Sequence, residues 1–310
     1  MKAIQIPSHG GLEVLQSTTL PDPTPKAGEV LVRVKASAVN PLDGIVRMGY
    51  FPIAAKPPLI LGEEASGLTE TDGAGFKASE KVIVYGGGLG VFRDGTWADL
   101  VAVPATSVRK LPEGISFEEG AALSNAGVTA YGAVRHGGLK AGETLLVLGA
   151  TGGVGSAGIQ LGKALGARVI AVVSKPERAS EIRGLGADHV VALSDGPLAE
   201  AVQKLTEGKG ADLVLDPVGG QVTGQAFSAV SKFGRLVHLG YSAGMTLQKR
   251  DRSWNRSRAD LGVEHWRCRE RHPAYRVRSQ KQDPLRKPAT DSRIPGCFVS
   301  PNTRTIQTSL

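Results

Sequence analysis

Apolar and polar residues alternate in short runs through the first third of the chain. Glu29-Val-Leu-Val-Arg-Val-Lys35 and Lys81-Val-Ile-Val-Tyr85 place apolar side chains at every second position, and Gly and Pro clusters separate such runs. A period of two punctuated by turn formers predicts half-buried strands, so residues 1–120 read as an all-β domain. From 121 the rhythm changes, and helix-length segments alternate with apolar strands at 144–149, 168–173, 188–192, 212–216 and 235–239. That alternation predicts a parallel, doubly wound α/β sheet over 121–245. After Met245 the apolar periodicity stops. A stretch with no face to bury cannot offset an ordering cost of about 1–2 kcal/mol per residue, so 246–310 reads as a poorly ordered or aberrant tail. Our hypothesis is an out-of-frame or replaced translation. Translating the other two frames tests it, because neither restoring an apolar strand-and-helix ending would refute it.

Charge sharpens the division. The chain carries a net +8, yet 15 of its 37 Lys and Arg and only 6 of its 29 Asp and Glu lie in 246–310, leaving 22 basic against 23 acidic residues before that point. The body is neutral and the tail is strongly basic. A rival reading treats the tail as an arm that contacts nucleic acid through phosphates, although no RNA-binding signature accompanies it. No apolar run approaches the ~18 residues of a membrane helix, and the N-terminus lacks a secretory pattern, so the cytoplasm is the expected location. The only cysteines, Cys268 and Cys297, exclude a disulfide framework and read as incidental thiols.

The strongest chemical signal is Thr144-Leu-Leu-Val-Leu-Gly-Ala-Thr-Gly-Gly-Val-Gly155, followed by a helical pattern from Ser156 to Leu165. Strand, glycine turn and helix occur in that order. Ala150, Gly152 and Gly155 fill the three positions of a dinucleotide fingerprint, where small residues let the backbone approach a pyrophosphate and the helix pack on the strand. The amides of Ala150, Thr151, Gly152, Gly153, Val154 and Gly155 are thereby expected around the anion, at the positive end of the helix. The next strand, Arg168–Val173, ends in Ser174-Lys-Pro-Glu-Arg178 instead of an acidic residue. With no carboxylate at the tip, and with Ser174, Lys175 and Arg178 beside it, NADP is favoured over NAD; the alternative is that both cations are solvated residues at a helix start. His9, His136, His189 and His238 occur singly and no Cys precedes residue 268, so no zinc-ligand spacing is present in the body, and the metal expectation is none.

These parts together resemble the medium-chain dehydrogenase/reductases, in particular the zinc-free quinone oxidoreductases of the zeta-crystallin-like branch, over residues 1–245. The resemblance rests on Ala38-Val-Asn-Pro-Leu-Asp-Gly44, Leu61-Gly-Glu-Glu-Ala-Ser-Gly67, Gly127-Val-Thr-Ala-Tyr131, Gly149–Gly155, Asp216-Pro-Val-Gly-Gly220 and Gly234-Arg-Leu-Val-His-Leu-Gly240. It implies a GroES-like β-rich N-terminal domain plus a Rossmann doubly wound parallel sheet, incomplete at its last strand because no sixth strand is readable after Met245. Zinc-dependent relatives carry Cys where this chain has Val39-Asn40 and His where it has Glu63. The resemblance therefore implies metal-free hydride transfer from NADPH to a quinone or an α,β-unsaturated carbonyl. It also implies that Asn40 and Asp43 line the nicotinamide end of the site, that Thr129 contacts the cofactor, and that Gly240 and Tyr241 border it. Asn40 reads equally as a turn residue before Pro41, and Asp43 as a helix cap. Tyr50 is a candidate proton or hydrogen-bond donor. A tyrosine that some relatives place near Asp43 is Ile45 here. A homodimer is implied as well, but the segment that forms it lies in the unmatched tail. A protein that binds nucleotide with little turnover, its final strands lost, stays open beside the active reductase.

Overall fold

The computed structural model describes residues 1–244, together with the backbone of three short strands at 262–265, 276–277 and 304–307. Apart from those strands, the tail predicted over 246–310 lies outside the described residues. The chain forms two compact units, one of Met1–Val128 with Asn302–Leu310 and one of Thr129–Pro301.

The first unit contains β1 (Lys2–Ile6), β2 (Gln16–Thr19), β3 (Glu29–Val39), the short helix α1 (Pro41–Arg47), β4 (Leu59–Ile60), β5 (Glu64–Thr69), β6 (Lys81–Tyr85), β7 (Leu100–Pro104) and β8 (Val108–Lys110). Helix α2 (Phe117–His136) follows. All pairings here are antiparallel: β2-β1-β4 form one sheet, and β3 pairs β5 and β7 in another that continues through β6 to β8. The alternation in β3 is realised directly, since Val30, Val32, Val34, Ala36 and Ala38 are buried while Arg33 and Lys35 face solvent. Val30, Val32, Val34, Ala65, Val82 and Val84 then build one core. A second cluster, including Ile6, Leu42, Val46, Phe51 and Leu61, fixes α1. The segment Arg304–Gln307 pairs antiparallel with the end of β3, at Ala36–Val39.

The second unit winds β9 (Thr144–Val147), α3 (Gly153–Ala164), β10 (Arg168–Val173), α4 (Ala179–Gly184), β11 (His189–Ala192), α5 (Leu198–Leu205), β12 (Ala211–Asp216), α6 (Gly220–Phe227) and β13 (Val230–His238) into a parallel sheet. The segments Gly262–His265 (β14) and Arg276–Val277 (β15) extend it, giving the order β11-β10-β9-β12-β13-β14-β15. Beyond the point where the side-chain pattern stops, β14 thus pairs in parallel with β13, Arg235 opposite Gly262. A backbone ladder needs no apolar periodicity, so pattern reading cannot detect such a strand. Leu146, Ile170, Leu198, Val214 and Leu236 sit in the unit's main core, each fully buried side chain contributing about 1.5–3 kcal/mol. Strand β13 starts five residues before the predicted 235, because Val230 already pairs Ala211 ahead of an irregularity that resumes with Leu213 opposite Arg235.

Candidate nucleotide site

Counting β9 as the first strand, the order of the parallel strands through β14 is 3-2-1-4-5-6. The chain runs outward from β9 through β10 to β11, then returns to the other side of β9 as β12. At such a reversal the connections leave in opposite directions and open a crevice at the carboxyl ends of the strands. Two glycine-rich turns face each other there, and a Cβ added to Gly149 would lie 2.6 Å from Val218 Cγ2.

The turn after β9 is held by its backbone. Leu148 N–H donates to Leu215 O at 3.0 Å, Ala150 N–H to Val172 O at 3.0 Å, and Gly152 N–H to Gly149 O at 2.9 Å. Gly152 is the N-cap of α3 in extended conformation, φ −86° and ψ 165°, and the first turn of the helix carries no acidic residue. By helix geometry the amides of Gly153, Val154 and Gly155 have no carbonyl one turn back, so they point out of the helix start as donors for an anion. Closeness is enforced by Gly155, where a Cβ would stand 2.2 Å from Gly149 O and 2.8 Å from Ala150 Cα. Gly158 and Gly162, on the same helix face, let α3 settle onto Leu215 and Leu145.

The opposing turn is organised by Asp216, which is fully buried at the end of β12. One carboxylate oxygen accepts the N–H groups of Val218 at 2.9 Å and Gly219 at 3.0 Å. The other accepts the Thr223 hydroxyl and meets His238 Nδ1 at 2.9 Å. Burial alone would raise this carboxyl, but the donors from His238 and Thr223, with the Gly219 amide, hold it below the ordinary aspartate value. The segment after β13 is stitched onto the same turn: Leu239 N–H donates to Asp216 O and Ala243 N–H donates to Val218 O, both at 2.8 Å. Gly219 adopts φ +77°, and a Cβ there would lie 2.7 Å from Tyr241 Cα.

This arrangement has close counterparts. Residues 26–113 match the alcohol dehydrogenase GroES-like domain, and 153–261 match the domain described as zinc-binding dehydrogenase. The quinone oxidoreductase of Pseudomonas aeruginosa is 35% identical over 247 residues, 78% of this chain and 74% of that protein. The chain belongs to the quinone oxidoreductase family of medium-chain dehydrogenase/reductases. The solved quinone oxidoreductase of Pseudomonas syringae superposes with a TM-score of 0.72 at 34% identity, covering 81% of this chain and 76% of that one. The Escherichia coli quinone oxidoreductase complexed with NADPH gives a TM-score of 0.72 at 30% identity, covering 80% and 76%. Other relatives are much longer: the chain spans 51% of the Danio rerio synaptic vesicle membrane protein VAT-1 homolog and 8% of a fungal highly reducing polyketide synthase.

Within this family architecture the expected residues divide. Ala150, Val154 and Gly155 are buried in the turn, with Thr151 exposed and Gly152 and Gly153 half-buried beside it. Gly240 is buried and Tyr241 half-buried in the segment stitched to the opposing turn, and burial raises the Tyr241 phenol. Thr129 is buried within α2. Ser174, Lys175 and Arg178 are exposed after β10. Arg178 is not a free cation, because its guanidinium pairs with both carboxylate oxygens of Glu181 at 2.6 and 2.9 Å.

Asn40, Asp43 and Tyr50 lie in the first unit. Asn40 and Asp43 form a capping box at the start of α1, the Asp43 carboxylate accepting Asn40 N–H at 2.7 Å and Gly62 N–H at 3.0 Å. The turn and cap roles left open by the sequence are therefore both occupied. Asn40 Nδ2 also donates to Glu64 at 3.0 Å, and Asn125 N–H donates to the other Glu64 oxygen at 2.6 Å. Tyr50 is 74% exposed. Pattern reading did not identify the carboxyl cluster of Asp43, Glu63 and Glu64. Burial, opposed by the Asn40 and Gly62 amides, raises Asp43 to about 7, and burial likewise raises Glu64 to about 7. Glu63 is only half-buried as a residue, yet its Oε1 is shielded and accepts no hydrogen bond from any described residue. Burial and the charges of Asp43 and Glu64 raise it well above the ordinary range. The available signal was two consecutive acids, Glu63-Glu64, entering an apolar strand.

Proposed function

We propose that this protein is an NADPH-dependent oxidoreductase that transfers hydride to a quinone or an α,β-unsaturated carbonyl without a metal. The observation that carries the reading is the pair of turns at the β9/β12 reversal, one presenting helix-start amides and the other held against it by Asp216. The cofactor, when bound, supplies the hydride, and the protein supplies placement. The amides of Gly153, Val154 and Gly155 hold the diphosphate, and Ala150, Thr151 and Gly152 shape the turn. Ser174, Lys175 and Arg178 take the 2′-phosphate, while Thr129, Gly240 and Tyr241 border the cofactor. Asn40 and Asp43 orient the acceptor's surroundings, and the Tyr50 hydroxyl donates to the oxygen that gains charge during reduction. Metal-free chemistry is supported by residue identity. Val39-Asn40 and Glu63 stand where the resemblance implies that zinc-dependent relatives carry their Cys and His ligands.

The test follows NADPH and NADH consumption with a simple benzoquinone and with a small enone, alongside cofactor binding by fluorescence. We expect turnover with NADPH to exceed that with NADH. If NADPH binds and neither acceptor is reduced, a nucleotide-binding protein without turnover replaces this reading.

A further inference from the structure

Nothing in the nucleotide fingerprint accounts for Thr223 and His238. They lie 7 and 22 residues beyond Asp216, on α6 and at the end of β13, and both converge on one oxygen of its carboxylate. The parallel register sets Asp216 directly opposite His238. The other oxygen is spent on the Val218 and Gly219 amides. One buried carboxylate therefore ties this turn to the strand, its orientation set by two backbone amides and two side-chain donors.

We propose that His238 and Thr223 are positioning residues for the nicotinamide half of the cofactor: by locking Asp216, they hold the turn Pro217–Gly220 and the segment Gly240–Gly244 as one wall of the crevice. The inference rests on the nucleotide reading above. In a doubly wound sheet each half binds one mononucleotide. The half that starts at β9 grips the adenine side and the diphosphate through α3. The half that starts at β12 is left to receive the nicotinamide side, and its loops have the built order: Ala243 N–H on Val218 O, and a Gly219 packed so closely on Tyr241 that a Cβ has no room. Removing one side-chain donor leaves the Asp216 carboxylate three of these four hydrogen bonds and weakens its hold on the turn to which the Gly240–Gly244 segment is stitched. The β9 turn is held by separate backbone bonds to β10 and β12, and it does not depend on either donor.

The experiment compares the affinities of NADPH and of 2′,5′-ADP, a probe that lacks the nicotinamide half, in the full-length protein and its variants. His238→Leu and Thr223→Val each remove one donor to a buried carboxylate. We expect each to weaken NADPH binding about tenfold, the scale of a lost charge-assisted hydrogen bond, and to leave 2′,5′-ADP within about twofold. His238→Asn, which keeps an N–H near the Nδ1 position, restores most of the NADPH affinity. A merely structural role would lower both ligands alike and would not respond to Asn. Equal losses for both ligands, or unchanged NADPH binding in both variants, overturn the proposal. Thr223→Val is the smaller change and decides the matter should His238→Leu not fold, as judged by circular dichroism. If the unaltered protein binds neither probe, the nucleotide reading fails first and this inference falls with it; if it binds both but reduces no acceptor, the proposed reaction fails and the inference still stands on its binding data.

Discussion

Gly155→Ala places a single methyl group where the structure has no room for one. Ordinary Cβ contacts begin at 3.4 Å, and the new carbon would stand 2.2 Å from Gly149 O, so that oxygen has to retreat by about 1.2 Å. Ala150 Cα, at 2.8 Å, blocks the same movement. Both neighbours are backbone, and that backbone is pinned to Val172 and Gly152 by hydrogen bonds. Overpacking costs about 1–3 kcal/mol, and a clash with fixed backbone belongs at the upper end. Against it stands the helix propensity gained by replacing Gly, about 1 kcal/mol at most. The balance is a loss of about 1–2 kcal/mol of stability, with NADPH affinity reduced at least about tenfold because the helix start is pushed off the turn. Gly184→Ala is the control: it ends α4, and a Cβ there meets nothing within 4 Å. It should be neutral or stabilise by up to about 1 kcal/mol. Urea unfolding and NADPH titration of both variants check the reasoning. A Gly155→Ala protein as stable as its parent, with unchanged NADPH affinity, would mean that the close approach is not required.

Two further outcomes follow from buried charge and backbone strain. Asp43 has its folded pKa raised from 3.8 to about 7, so its contribution is fully present below pH 3.8 and is lost as pH rises through about 7. A shift of about 3 units corresponds to on the order of 4 kcal/mol, an upper bound because Asp43, Glu63 and Glu64 titrate together. Asp43→Asn should flatten the fall in stability between about pH 4 and 7, at the cost of one of the two acceptors that now serve Asn40 N–H and Gly62 N–H; parallel urea-unfolding profiles for variant and parent would refute the assignment. Phe233 sits at φ +63° with 70% of its surface exposed, and Phe233→Gly should raise stability by about 0.5–1 kcal/mol despite losing the contact with Lys232. A lower melting temperature for that variant would show that the ring contributes more than the strain costs.

The features legible in the sequence were those carried by neighbouring residues. Strands β9, β10 and β12 announced themselves as apolar runs, and the glycine turn with its following helix pointed to the anion site proposed above. Their order in the sheet was not visible, because it depends on where each crossover returns. The same limit hid the opposing wall of the crevice. Asp216 appeared within a family motif without a role, and His238 looked like one more isolated histidine; only the parallel register brings them to 2.9 Å. Asn40 and Asp43 show the converse. Beside the cofactor role that the resemblance implied, the sequence offered Asn40 as a turn residue and Asp43 as a helix cap, and the structure joins the two in one capping box.

The tip of β10 shows how a local reading is completed by geometry. Sequence offered Arg178 as a cation for a 2′-phosphate, whereas the structure has it paired with Glu181, three residues on. Both partners are exposed, so solvent screens their attraction and each side chain loses rotamer freedom on pairing. A phosphate monoester offers more charge and the same two-pronged geometry that the guanidinium already satisfies on Glu181. On the proposed reading the pair presents no barrier to NADPH, because a 2′-phosphate replaces Glu181 as the acceptor of the Arg178 guanidinium. Lys175 makes no ion pair with any described residue, and no carboxylate ends the strand itself. On the proposed reading, preference for the phosphorylated cofactor thus comes from what the strand tip lacks as much as from the cations it carries.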